Sequence, residues 1–237
     1  MIEPRLPRVI NRDSKPSNFC AGCGYGIILK NLGLVIEEME IAPRTIITLD
    51  IGCNLLAWDY YKLDTVQTHH GRVTPLAAGY KKANKDSVTL GIAGDGGLYA
   101  IGLQGFLHTA RRNDPVTIIG VNNSLYAMTG GQAAPTTLPG QDTDSTPGGL
   151  FTYDKPFYGP ELAKQVATGN AFIARASVLN IPQMKGFLKM AIENQLKGDF
   201  SYVEVLSFCP TNWKVDAEGS FEMVEKMEKS YKLGVIE

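Results

Sequence analysis

The sequence has few cysteines, almost no net charge and no long apolar run, and each absence excludes a class of protein. Four cysteines in 237 residues are too few for a disulfide scaffold, and a chain of this length does not need one. The 23 lysines and arginines are balanced by 24 aspartates and glutamates, so no basic surplus is available to neutralise the phosphates of a nucleic acid.

No targeting or membrane segment is predicted. The N-terminus carries Arg5, Arg8 and Arg12 and has no apolar stretch long enough for a signal peptide. The longest run without charges, 115–141, is interrupted by glycines and prolines and therefore cannot cross a bilayer as a helix. A run of this kind more often lines a buried site or an interface. We expect a cytoplasmic protein in a reducing compartment, where thiols are free to bind metal.

Short β-branched apolar segments alternate with longer helical ones. Strands are predicted at 45–49, 88–93, 116–121, 171–175 and 200–206, and helices around 24–40, 74–84, 98–112 and 182–197. This alternation is typical of a doubly wound α/β fold with a mainly parallel sheet covered on both faces. No repeat or linker divides the chain, so residues 1–237 are expected to form a single domain. The segment at about 129–160 is long enough to be a functional lid or interface segment.

Polar residues follow two neighbouring strands at the point where each strand ends. Gly94, Asp95 and Gly96 come directly after the strand 88–93 and open a helix, and Asn122 and Asn123 end the next strand. Open α/β sheets bind ligands at this edge. Carboxylate and amide oxygens suit a Mg²⁺ shared with a diphosphate, and the glycines let the backbone approach the phosphates. Taken singly, each motif is more often a tight turn or a strand cap.

Together the two motifs resemble the signature of thiamine-diphosphate enzymes, which is Gly-Asp-Gly followed after one βαβ unit by Asn-Asn. In that family the aspartate, the second asparagine and a backbone carbonyl two residues on hold the metal. The resemblance assigns these roles to Asp95, Asn123 and Leu125. A dinucleotide site fits less well, because no Gly-x-Gly-x-x-Gly follows the strand.

The four cysteines form the second group of candidate ligands. Cys20 and Cys23 make a CxxC motif, while Cys53 and Cys209 follow predicted strands. Four thiolates with none left over suit either a tetrahedral zinc or a [4Fe–4S] cluster. The cysteines alone slightly favour zinc. A thiamine signature in the same small domain reverses that preference, because a nearby cluster can accept the electrons that thiamine chemistry releases.

Further motifs extend along nearly the whole chain. They are Cys20-Ala21-Gly22-Cys23-Gly24, Gly52-Cys53, His70-Gly71-Arg72, Gly94-Asp95-Gly96, the run from Asn122 to Gln132, Ala134-Pro135-Thr136-Thr137 and Cys209-Pro210-Thr211-Asn212-Trp213. In this order they resemble the β subunit of the 2-oxoacid:ferredoxin oxidoreductases, most closely the 2-oxoisovalerate, or branched-chain, group. The chain departs from the family's usual residues at Ala21, Tyr25 and Asn54, which concern the cofactor surroundings and not the cysteines.

The resemblance implies oxidative decarboxylation of a 2-oxo acid to its acyl-CoA, with coenzyme A as co-substrate. Electrons would pass through a [4Fe–4S] cluster held by all four cysteines to ferredoxin. An α subunit would supply the glutamate that faces the thiamine pyrimidine, because Glu37, Glu38 and Glu40 are predicted on a solvated helix face. The γ and δ subunits, which are ferredoxin-like, or their fusions would complete the complex.

The resemblance also implies the contacts to cofactor and substrate. Thiamine diphosphate would lie against Ile51, Gly52, Asn54, His70, Gly94, Gly96, Asn123, Leu125 and Tyr126. His70 is a candidate catalytic residue, and Arg72 is placed near phosphate or carboxylate. Trp213 is expected to anchor the chain after Cys209 or to contact another subunit. Met128 is a candidate for the substrate pocket, where an apolar, adaptable side chain favours a branched-chain or aryl acid.

Several alternatives remain open at this point. His70 and Met128 could be a loop histidine and a packing residue. Within the family, the substrate could be 2-oxoglutarate, pyruvate or another 2-oxo acid. Outside it, the chain could be a non-oxidative thiamine-dependent decarboxylase or a zinc-bound structural subunit.

Overall fold

A seven-stranded sheet forms the centre of the computed structural model, which describes residues 6–13, 17–150 and 153–237. Its strands are β1 (Thr45–Leu49), β2 (Asp64–Gln67), β3 (Val88–Gly94), β4 (Thr117–Asn122), β7 (Phe172–Ser177), β8 (Ser201–Leu206) and β9 (Gly234–Val235), in the order β2-β1-β3-β4-β8-β7-β9. Neighbouring strands are parallel except β9, which is antiparallel to β7. A separate small hairpin consists of β5 (Leu125–Tyr126) and β6 (Gln132–Ala133).

Helices cover both faces of the sheet. They are α1 (Tyr25–Glu38), α2 (Val73–Ala83), α3 (Leu103–Arg111), α4 (Gly159–Val166), α5 (Ile181–Leu196), α6 (Pro210–Trp213) and α7 (Ala217–Ser230). Helices α1, α5 and α7 share one apolar core with Ile119 of β4, and α2, α3 and α4 share the other with Ile118. Successive residues of a strand point to opposite faces, so this division explains why β4 is buried along its whole length. No helix within the described ranges is long and apolar enough to span a membrane.

The predicted doubly wound α/β fold is confirmed, and the five predicted strands and three of the four predicted helices are present to within about two residues. The prediction around 98–112 is wrong in detail. A π-helical turn, Gly97–Ile101, precedes α3, and the Gly102 amide donates to the Gly97 carbonyl at 2.9 Å. A side chain at Gly102 would place its Cβ 2.3 Å from that carbonyl oxygen. The turn therefore depends on glycine.

The polar edge strand β2 and the charged helix α7 were not predicted, because neither has the continuous apolar pattern of the central elements. The long segment at about 129–160 contains β6 and a short 3₁₀ turn and ends in α4. Residues 1–5, 14–16 and 151–152 lie outside the description. That the whole chain is a single domain stays a prediction.

Candidate functional site

A cavity of about 180 Å³ opens at the carboxyl ends of β1, β3 and β4. It brings together many of the residues singled out in the sequence, namely Ile51, Gly52, Cys53, Asn54, His70, Gly94, Asp95, Gly96, Asn123, Leu125, Tyr126 and Met128. It is also lined by Tyr25, Gly97, Val121, Ala127 and Thr129, which were not predicted as site residues. Residues of the uncharged run 115–141 between Val121 and Thr129 therefore line this cavity.

Asp95 is a buried carboxylate at the start of the turn that follows β3. It is 3% exposed, and its Oδ2 accepts a hydrogen bond from the Thr136 hydroxyl. Burial raises the pKa of Asp95 to about 7, although the hydrogen bond from Thr136 opposes this shift. An ionised carboxylate here lacks a compensating cation among the described residues that line the cavity, and its chemistry fits a metal ligand. Thr136 belongs to the motif Ala134-Pro135-Thr136-Thr137, but that motif does not predict its contact with Asp95.

The turn after β4 presents Asn123 to the same cavity. Its Oδ1 accepts a hydrogen bond from the Leu125 amide at 3.2 Å, and the Asn122 Oδ1 accepts one from the Ser124 amide at 3.0 Å. Ser124 has a left-handed φ of 60°, which turns the chain directly after the two asparagines. Asp95 and Asn123 thus meet at one edge of the sheet, as the sequence predicts, with the second asparagine facing the cavity.

Asp50, which the sequence analysis did not single out, lies behind His70. Its Oδ1 accepts from the Gly71 amide at 2.6 Å, whereas its buried Oδ2 has no hydrogen-bond partner among the described residues and lies 3.6 Å from His70 Nδ1. Burial raises the pKa of this carboxyl. His70 Nδ1 is also 3.0 Å from the Ile51 carbonyl oxygen, so Nε2 is the nitrogen left for a ligand. A Cβ at Gly97 would lie 2.0 Å from Asp50 Oδ2, so only glycine fits there.

Two residues that are predicted to contact the cofactor, Asn54 and Gly96, also take part in the packing of the protein itself. Asn54 is buried, and its amide nitrogen donates to the carbonyls of Asp50 at 2.6 Å and Ile92 at 3.2 Å. This side chain therefore fixes the chain after β1 as well as lining the cavity. Gly96 makes room for the Tyr126 ring, since a Cβ would lie 2.2 Å from a ring carbon.

Cys53 lines the cavity, and Cys20, Cys23 and Cys209 are close enough to it for their charges to affect its pKa. The Gly24 amide, next to Cys23, donates to the Phe208 carbonyl at 3.3 Å, which joins the CxxC segment to the chain before Cys209. Burial and the neighbouring thiols raise the pKa of Cys23 to about 11 and that of Cys53 to about 12. All four are free thiols. In the part of the chain that the structure describes, however, no three His, Cys, Asp or Glu side chains are grouped closely enough to hold a metal ion.

The remaining candidates lie outside the cavity. Arg72 donates to the Ile101 carbonyl at 3.2 Å and does not line the cavity, so its expected approach to phosphate stays a prediction. Glu37 is only partly solvated, contrary to expectation, because its carboxylate accepts from the Arg8 amide at 2.7 Å. Trp213 Nε1 donates to the Asn123 carbonyl at 3.1 Å, in line with an anchoring role.

The raised pKa of Asp95 predicts a pH dependence of stability in the metal-free protein. The folded state binds a proton that the unfolded state releases at about pH 4, so this carboxyl lowers the stability as pH rises from about 4 to about 7. We expect Asp95→Asn to gain stability relative to the unmodified chain across that interval. Urea unfolding in the presence of EDTA measures the difference. An equal difference at every pH would contradict the assignment.

Comparison with known proteins identifies the family. A model of the C-terminal TPP-binding domain of thiamine pyrophosphate enzymes matches residues 50–205. The ketoisovalerate oxidoreductase subunit VorA of Methanothermobacter marburgensis is 38% identical over 224 residues, which are 91% of this chain and 46% of VorA. The 2-oxoglutarate synthase subunit KorB of Methanocaldococcus jannaschii is 36% identical over 212 residues, which are 89% of this chain and 75% of KorB. The chain thus spans about half the length of VorA.

A solved structure shows the same fold. The 2-oxoglutarate:ferredoxin oxidoreductase from Magnetococcus marinus, which has 2-oxoglutarate, coenzyme A and succinyl-CoA bound, matches with a TM-score of 0.79 and 24% identity. The match covers 94% of this chain and 74% of that one. Together with the family model and the relatives, the cavity at Asp95 and Asn123 leads to one conclusion: the chain belongs to the thiamine pyrophosphate enzymes, in the family of the 2-oxoacid:ferredoxin oxidoreductase β subunits.

Proposed function

We propose that the chain is the thiamine-diphosphate-binding subunit of a complex that converts a 2-oxo acid, coenzyme A and oxidised ferredoxin into an acyl-CoA, CO₂ and reduced ferredoxin. The buried Asp95 beside Asn123 in the cavity is the observation that carries this proposal. When bound, thiamine diphosphate supplies the carbon nucleophile for decarboxylation, and an iron–sulfur cluster accepts the electrons one at a time.

The residues of the cavity fit the diphosphate end of this cofactor and Mg²⁺. Asp95 is desolvated enough for its pKa to rise to about 7, and a divalent cation would restore its charged form. Asn123 adds an amide oxygen as a metal ligand. This oxygen accepts a hydrogen bond from the Leu125 amide, which it would either keep or lose when it binds the metal. The space beside the Gly94 backbone is open to the cavity, since a Cβ built there would meet only the Asn54 side chain, at 3.8 Å. These residues would hold the metal and leave room for the phosphates.

The four thiols fit a cluster in number and lie near enough to influence one another's pKa. Each thiolate of a [4Fe–4S] cluster binds a different iron, so the four sulfurs need not converge on a single ion as zinc would require. Cys53 lines the cavity, Cys209 is buried, and both have raised pKa values because burial and neighbouring thiols disfavour their charged forms. A bound cation reverses this penalty, because thiolate coordination needs the deprotonated sulfur. Cys20 and Cys23 would complete a set of four with no thiol to spare.

His70 and Asp50 would orient groups in the cavity. The imidazole is fixed through Nδ1 by the Ile51 carbonyl and the nearby Asp50 carboxylate. Its Nε2 would then be held toward a bound substrate or phosphate, where it can donate a hydrogen bond or accept a proton. No glutamate is among the described residues that line the cavity. This supports the proposal that a partner α subunit supplies the glutamate for the thiamine pyrimidine, with ferredoxin-like γ and δ subunits completing the complex. A cytoplasmic location stays a prediction.

The cavity favours an apolar substrate side chain, branched-chain or aryl. Met128 lines it and is 42% exposed, and no lysine or arginine of the described chain lines it to pair with a second carboxylate. VorA and KorB are similar to this chain at 38% and 36% identity, so the relatives alone leave 2-oxoisovalerate and 2-oxoglutarate as competing substrates. Pyruvate is the smaller alternative.

The substrate proposal is tested on the assembled complex. We expect 2-oxoisovalerate to have a higher kcat/KM than 2-oxoglutarate. We expect Met128→Lys to raise the kcat/KM for 2-oxoglutarate relative to that for 2-oxoisovalerate by about tenfold, because lysine adds a cation for the distal carboxylate. Met128→Leu is the matched control and should keep the original preference. A native preference for 2-oxoglutarate, or an unchanged ratio in Met128→Lys, would contradict the proposed pocket.

A further inference from the structure

Helix α6 connects Cys209 to the loop that lines the cavity. This four-residue helix begins directly after Cys209, which occupies its N-cap position. Its last residue, Trp213, donates to the carbonyl of Asn123. The residue before it, Asn212, donates to the carbonyl of Ala127. The loop 123–131 is therefore fastened to α6 at two points, one on each side of Leu125 and Tyr126.

Asn212 has a second contact, with the cysteine itself. Its Nδ2 lies 2.7 Å from the Ala127 carbonyl oxygen and 3.7 Å from the Cys209 sulfur, so one amide group reaches both partners. Gly131 packs against the same side chain, and a Cβ there would lie 3.0 Å from the Asn212 Cβ. Since Gly131 also has a left-handed φ of 94°, a larger residue would disturb both the loop and Asn212.

We propose that Asn212 is a positioning residue that couples the Cys209 sulfur to the loop 123–131 through a single amide group. The inference rests on the proposed function, because Cys209 acts as a cluster ligand only there. One hydrogen of the amide polarises the cysteine sulfur, and the other holds the carbonyl next to Met128. Asn212 thus sets the potential of the cluster and the position of the substrate pocket together.

Each contact has a separate physical consequence. A hydrogen bond to a ligating sulfur stabilises the more negative, reduced cluster and raises its reduction potential. The hydrogen bond to the Ala127 carbonyl, at 2.7 Å, adds to the contacts that hold the loop 123–131 and fixes its backbone next to Met128. Removing the side-chain amide should therefore lower the reduction potential of the cluster and loosen the loop. If Asn212 had only a structural role, its removal would loosen the loop and leave the potential unchanged.

The test uses Asn212→Leu in the anaerobically purified complex. Leucine has nearly the same shape but no side-chain N–H donor, so it removes the side-chain contact with Cys209 and keeps the backbone one. Position 212 is half-buried, so the fold should tolerate the change. We expect a more negative cluster midpoint potential in a redox titration followed by electron paramagnetic resonance. We also expect faster amide hydrogen exchange in loop 123–131 and a KM for the 2-oxo acid raised about tenfold, roughly the value of one hydrogen bond.

Two variants on the same helix serve as controls. Thr211→Val changes an exposed neighbour and should match the unmodified protein in all three measurements. Trp213→Phe removes the donor to Asn123 but not the contact with Cys209, so it should speed exchange in the loop and leave the cluster potential unchanged.

The outcomes separate this inference from the proposed function. An unmodified complex in which all the iron belongs to the ferredoxin-like subunits and none to this chain would overturn the cluster assignment itself. A cluster that is present but keeps its potential in Asn212→Leu would overturn the coupling, and so would a shifted potential with unchanged exchange and KM. A shift of potential in Trp213→Phe as large as in Asn212→Leu would also overturn it, because the effect would then come from α6 as a whole.

Discussion

Replacing Asp95 with alanine is expected to abolish thiamine-dependent turnover, with a loss of at least about 100-fold in kcat/KM, while the iron–sulfur spectrum stays intact. Asp95 is the only carboxylate among the described residues that line the cavity, and it is buried where a metal would neutralise it. Removing it takes away the charge that holds Mg²⁺ and, through the metal, the diphosphate. The cysteines belong to other segments, so the cluster should be unaffected.

Steady-state assays at saturating thiamine diphosphate and Mg²⁺, together with iron analysis, measure this effect. Asp95→Asn is the matched control, because it keeps an oxygen ligand and the shape of the side chain but removes the charge. It should bind the cofactor better than Asp95→Ala and worse than the unmodified protein. Loss of iron in Asp95→Ala would contradict separate metal and cluster sites, and retained turnover would contradict the assignment of Asp95.

Replacing Arg175 with methionine is expected to destabilise the protein by about 3–5 kcal/mol, because it leaves a buried carboxylate without its cation. Arg175 and Glu204 are fully buried and hydrogen-bonded through the arginine Nε. The other two guanidinium nitrogens bind both carboxylate oxygens of Glu161, at 2.6 Å and 2.7 Å. Glu204 also accepts from the Tyr99 hydroxyl at 2.5 Å, and the Arg175 guanidinium lies 4.9 Å from the centre of the Tyr231 ring.

Urea unfolding of the chain measures the loss. Glu161 has a side chain that is 35% exposed, so Glu161→Gln should cost only about 1 kcal/mol or less, since solvent screens that pair. Arg175→Met combined with Glu204→Gln should recover part of the stability, because no buried charge then remains unpaired. A loss in Arg175→Met no larger than that in Glu161→Gln would show that the buried pair does not stabilise the fold.

The central strands and the location of the site could be predicted because they depend on local patterns. Runs such as 45–49 and 116–121 are rich in β-branched and apolar residues with no charge, which is sufficient to identify buried parallel strands. The carboxyl ends of such strands lie at one edge, so Asp95 and Asn123 could be placed together from their position after β3 and β4.

Contacts between distant segments could not be predicted in the same way. The role of Asp50 depends on the Gly71 amide and on the close approach of Gly97, and neither is visible in a local pattern. Thr136 reaches Asp95 from 41 residues away. One pair did have a usable signal: Arg175 and Glu204 are charged residues inside apolar strands, and they are directly paired in the register of β7 and β8.

The most direct test of the account uses the anaerobically purified complex. A 2-oxo acid and coenzyme A are added with and without thiamine diphosphate and Mg²⁺. Visible absorption and electron paramagnetic resonance then follow the iron–sulfur cluster. We predict a brown protein with a broad band near ~400 nm and about four iron atoms assigned to this chain. We predict that its cluster becomes reduced only when thiamine diphosphate is present. A colourless chain with one zinc would contradict the account. So would a metal-poor chain that binds thiamine diphosphate and decarboxylates the acid without reducing an iron centre.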